Sequence, residues 1–160
     1  MKNTGTLKVT LPSDCEVLLT RVFDAPRELV WQAFTKPQLL KRWFGPRGWS
    51  LVECEVDLRV GGGWRYVMQG PEGQKMGMRG VYREIVPPER SVHVESFDDY
   101  PGESVVNAVF TEEGGKTTMN ATVRYPSKEV RDTVVRMGME HGAAESYDKL
   151  AELLSGSGGG

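Results

Sequence analysis

An α+β fold, with an antiparallel sheet wrapped on one long C-terminal helix, follows from three features of this 160-residue chain. The stretch from Ser127 to Leu154 is the only one long and periodic enough to make a major helix. From Ser50 to Tyr125 no helical period occurs, only short alternating runs. Those runs are separated by Gly70-Pro71-Glu72-Gly73, Pro87-Pro88 and Glu113-Gly114-Gly115, which have the chemistry of tight turns.

Taken in order, residues 5 to 11 alternate weakly, and Cys15 to Phe23 reads as a strand that ends at Asp24-Ala25-Pro26. A first short helix starts there: Asp24 suits a cap, Pro26 an early helical position, and Leu29, Val30, Ala33 and Phe34 form its apolar stripe. A second, Gln38 to Trp43, ends in Phe44-Gly45-Pro46, where glycine allows a left-handed exit and proline forbids continuation. Six strands follow: Ser50 to Asp57, Gly63 to Gln69, Met76 to Val86, Ser91 to Phe97, Ser104 to Glu112 and Lys116 to Arg124, making seven with the first. Alternation puts Trp64, Tyr66 and Met68 on one face of their strand, and Met119, Ala121 and Val123 on one face of theirs.

Ser127 after Pro126 is an N-cap, and Glu129 in the first turn suits the helix dipole. Val135, Met139, Gly142, Ala143, Ser146, Tyr147, Leu150, Leu153 and Leu154 recur at three- and four-residue steps on one face. The stripe is Leu and Tyr at its C-terminal half but Gly138, Gly142 and Ala143 at its N-terminal half. Those small residues either roof a cavity or let a strand pack close.

Composition narrows the function. A hydrophobic content of 39% fits a single domain, residues 1–154, and the terminal SGSGGG, 155–160, reads as a flexible tail. Twenty basic against 22 acidic residues, with no Lys/Arg run, argues against nucleic acid. No stretch approaches the roughly 18 apolar residues of a membrane span and no secretory h-region opens the chain, so membrane insertion is not expected and a cytoplasmic address is. Cys15 and Cys54 lack metal-ligand spacing and are expected as free thiols; no metal and no cofactor is expected. The triplet Gly61-Gly62-Gly63 precedes a strand and lacks the Lys-Ser/Thr of a phosphate loop, so it reads as a turn.

Several stretches carry a family resemblance. They are Asp24-Ala25-Pro26 to Thr35 with Trp43-Phe44-Gly45-Pro46, Glu55 to Gly62, Gly80-Val81-Tyr82-Arg83-Glu84-Ile85-Val86-Pro87-Pro88-Glu89-Arg90, and Gly138-Met139 to Gly142 with Ser146 to Leu150. In these the chain resembles the Hsp90-ATPase-activator-homologue-like branch of the START/Bet v 1-like (SRPBCC) superfamily, over about residues 16 to 154. The resemblance implies a helix-grip fold, a curved seven-stranded antiparallel sheet around a long C-terminal helix with two short helices closing one end. It also implies a cavity under that helix, or a surface that meets a chaperone or other protein.

The expected function is binding of a small hydrophobic or amphipathic ligand in a cavity lined by Trp31, Trp43, Trp64, Tyr66, Met68, Met78, Asn107, Met119, Met139 and Ala143. One alternative is a cyclase- or hydrolase-like enzyme using Glu55, Arg65, Arg79, Glu84 or His93 inside that cavity. Another is a protein-interaction module or homodimer with Trp49 and the loop Phe97 to Pro101 at its surface.

Overall fold

The computed structural model describes residues 7–99 and 102–158. Strand β1 (Lys8–Thr10) and strand β2 (Glu16–Phe23) precede two short helices, α1 (Arg27–Thr35) and α2 (Pro37–Trp43). Strands β3 (Ser50–Val56), β4 (Gly63–Gln69), β5 (Lys75–Val86), β6 (Arg90–Phe97), β7 (Ser104–Glu113) and β8 (Lys116–Arg124) form the meander. Helices α3 (Lys128–Arg136) and α4 (Met139–Gly158) complete the described chain. The strands make one antiparallel sheet in the order β1-β2-β8-β7-β6-β5-β4-β3.

The sheet has eight strands, not seven. The additional one, β1, pairs Lys8, Val9 and Thr10 with Thr20, Leu19 and Leu18, and a three-residue edge strand is too short to show an alternating pattern of its own. The C-terminal helix is also not continuous. Gly138, at φ +88°, separates α3 from α4, a backbone conformation that glycine adopts without steric cost. Ser127 caps α3 as expected, its Oγ accepting the Val130 amide at 3.2 Å. Helix α4 extends through Gly158, so part of the stretch read as a tail is helical, while Gly159 and Gly160 lie outside the described residues.

Local chemistry accounts for the other boundaries. Pro26 itself is the N-cap of α1, not Asp24, and the Arg27 amide is held by Glu112 Oε1 at 2.8 Å. Lys36, before Pro37, is extended and ends α1, as the residue preceding a proline favours. Gly114 and Gly115 both have positive φ between Glu113 and Lys116, which face each other across a two-residue hairpin.

The core lies between the concave face of the sheet and the helices. At one end Phe23, Phe34, Trp43, Phe110 and Tyr147 make a chain of edge-on and tilted ring contacts, with Trp31 edge-on to Phe110. Trp43 is buried and donates its Nε1–H to Ala33 O at 3.0 Å. Helix α4 is tied to the loop after α2: the Gly45 amide donates to Ser146 Oγ at 3.0 Å, and Lys149 donates to Gly45 O at 3.0 Å. It is tied to β2 by Arg21 and Asp148, 2.6 Å apart, with the guanidinium only 8% exposed and 5.4 Å from the Phe23 ring.

Candidate functional site

Antiparallel register decides which side chains face the helices. Trp64 of β4 pairs with Gly80 of β5, Gly80 with Glu95 of β6, and Glu95 with Ser104 of β7, so these four form one cross-strand row. The buried Trp64 marks that row as concave. Tyr82 and His93 pair in the next row, and Cys54, Tyr66, Met78 and Phe97 form the row on the other side. Because Gly80 has no side chain, the Trp64 indole lies over it: a Cβ there would stand 2.6 Å from Trp64 Nε1 and 1.7 Å from Val94 O.

This region is the polar part of the interior. Trp64 Nε1 is buried and has no hydrogen-bond partner among the described residues, although a buried donor normally finds one. His93 stands edge-on to both Trp64 and Tyr82, at 5.3 and 6.2 Å between ring centroids. Its Nε2 is 3.5 Å from Glu95 Oε1, and both side chains are about one-fifth exposed. Burial pushes the Tyr66 phenol up, and the Glu95 charge adds to the shift. Burial and then Glu95 likewise raise Tyr125 and Tyr147, while burial pushes Tyr82 up to about 12. All four therefore remain protonated and able to donate at neutral pH. Cys54 is a free thiol raised to about 11, again first by burial.

The candidate lining residues fall into three groups. Trp64, Tyr66, Met68 and Met78 are buried on the concave face near this polar row, and Met139 and Ala143 are half-buried against the core from α4. Trp31, Trp43 and Met119 are concave too, but Trp31 and Trp43 belong to the aromatic end of the core, edge-on to Phe110 and tilted on Tyr147, and Met119 is 1% exposed beside Arg21 and Phe110. Asn107 is a correction. It is exposed on the convex face, paired with Val92 and Thr122, because its neighbours Val106 and Ala108 take the inward positions. A Cβ on Gly142 would meet Pro46 at 3.8 Å, an ordinary contact distance, so this glycine lies beside the loop after α2.

Of the five ionisable candidates, only His93 is concave. Arg65 and Arg79 are convex and share Asp98, whose carboxyl the hydrogen bond from Arg65 holds below the usual range. Glu55 is exposed beside Arg65, and Glu84 pairs with Arg90. Open depressions of about 500 and 300 Å³ lie on this outer face around Arg65. Trp49 and Phe97 are half-buried against the core, and Tyr100 and Pro101 lie outside the described residues. The residue missed altogether is Glu95. Its one readable signal is that Ser91, His93, Glu95 and Phe97 alternate with Val92 and Val94.

The model of the Activator of Hsp90 ATPase homolog 1-like protein family matches residues 24–155. The chain belongs to this family. A Rhodobacter sphaeroides protein of solved structure is similar at 32% identity, with 94% of this chain and 99% of that one aligned and a TM-score of 0.90. A Nitrosomonas europaea protein, NE0264, is 28% identical over 94% of this chain and all of that one, at TM-score 0.85. The AHSA1 protein of Silicibacter pomeroyi, at 24% identity over 88% of this chain and 97% of that one and TM-score 0.72, shares the fold. No curated protein matches. In this member of the Hsp90-activator-homologue-like family, no helix among the described residues is long and apolar enough to cross a membrane.

Proposed function

We propose that this Hsp90-activator-homologue-like domain binds a small amphipathic molecule between α4 and the concave face of β4 to β6. The observation that carries the reading is the buried, unpartnered Trp64 Nε1 over the side-chain-free Gly80. A donor left unsatisfied inside a protein costs about 1–3 kcal/mol, a cost that a bound acceptor removes. Half-buried Cys54 and Phe97, in the row beside it, provide an apolar approach, and Met139 and Ala143 of α4 are half-buried against the same core.

The test is calorimetric titration with octyl amphiphiles, beside native mass spectrometry of protein purified from its own host. One-to-one binding is expected, weakened about fivefold in Trp64→Phe, the loss of one hydrogen bond worth roughly 1 kcal/mol. Absence of binding, or equal affinity in the folded variant, defeats the proposal.

A further inference from the structure

Resting on that reading, we infer that the ligand carries a positive charge, an amine or quaternary ammonium that Glu95 receives within a ring of aromatic side chains. The charge balance of the interior is the starting point. Arg21 and Asp148 are paired with each other at 2.6 Å. Among the described residues the ion-pair partner of Glu95 is His93, at 3.5 Å, and no lysine or arginine pairs with it, in a region four-fifths shielded from water. A charge so placed calls for a partner of opposite sign.

The surroundings suit an organic cation. Trp64 lies across Gly80 from Glu95 in the same row, and His93 and Phe97 flank Glu95 on its own strand and face. The His93 ring beside Glu95 in turn stands edge-on to Trp64 and Tyr82, at 5.3 and 6.2 Å between ring centroids, so rings from β4, β5 and β6 meet at this point. Aromatic faces attract a desolvated cation, and a carboxylate at the centre repels an anion. The Trp64 N–H, unpartnered and in the same row, is a donor for an oxygen near the cationic head, which makes an amino alcohol or amino ester a better fit than a bare alkylamine.

Octyltrimethylammonium, octanol and octanoate, titrated calorimetrically into the full chain, separate the possibilities. The cation should bind at least about tenfold more tightly than octanol, and octanoate most weakly. In Glu95→Gln the cation should lose its advantage over octanol, the ratio of the two affinities falling to about one, and Glu95→Asp should keep a preference for the cation. Equal binding of cation and alcohol by the unmodified protein, or a preference that survives Glu95→Gln, overturns the charge assignment and leaves the binding function standing. Failure of all three amphiphiles to bind overturns the binding function, and this inference with it.

Discussion

Asp148→Ala tests whether the buried ion pair holds α4 onto the sheet. The Arg21 guanidinium is 8% exposed and its described partners are Asp148 and the Phe23 ring, so the substitution strands a cation in the core. Removing one member of a fully buried pair costs about 3–5 kcal/mol. Asp148 is 21% exposed, which lowers the expectation to about 2–4 kcal/mol. At about 2–4 °C per kcal/mol for a chain of this size, the midpoint of thermal unfolding should drop by roughly 5–15 °C, and urea unfolding should move to correspondingly lower denaturant. Arg21→Met with Asp148→Leu, which removes both charges and keeps the volume, should recover all but about 1 kcal/mol. A single variant within about 0.5 kcal/mol of the parent, by urea melts followed in the far ultraviolet, would refute the claim that Arg21 depends on Asp148.

Gly80→Ala should cost more than about 3 kcal/mol in the same melts, because its Cβ would meet the Val94 carbonyl oxygen at 1.7 Å. Gly77→Ala should cost less than about 1 kcal/mol, its obstacles being the movable ends of Asp98 and Arg65. Similar losses at the two positions would contradict this account. Cys54 should resist iodoacetamide at pH 8, with its alkylation rate rising towards a midpoint near its raised pKa of about 11; a midpoint near the ordinary 9.0 would show that the thiol is not shielded. Stability should fall in base: Cys54 and Tyr82 keep their protons longer folded, at about 11 and about 12, than unfolded, at 9.0 and 10.0. Their contribution is therefore complete below about pH 9 and is lost as pH rises through that window. Phenolate absorbance rising near pH 10 at Tyr66, Tyr82, Tyr125 and Tyr147 while the fold persists would contradict the buried positions.

The turns and most strand limits were legible in the sequence because they depend on neighbouring residues. Gly63 to Gln69 and Lys116 to Arg124 are strands with the bounds their alternation gives, and paired positive-φ glycines close the hairpin before Lys116. The α+β class follows from the same short-range periodicity, as does the grouping of Trp64, Tyr66 and Met68 on one face of β4, which the structure buries. The site did not, because a strand's alternation shows two faces without saying which is inside. In β6 the valines at 92 and 94 face out, and Ser91, His93 and Glu95 face in, the reverse of what hydrophobicity suggests. Pairing with β5 and β7 fixes that choice, and the register shift between Tyr82 and Glu84 changes the side that later β5 residues present. Likewise, the helical periodicity of Ser127 to Leu154 runs through Gly138 without a mark. The helix divides there in a fold where Ser146 and Lys149 bind the Gly45 backbone and Asp148 binds Arg21, distant contacts that orient α4 independently of α3. Local patterns set the elements of this domain; which side chains meet inside it was decided by register and long-range pairing, which join residues far apart in the chain.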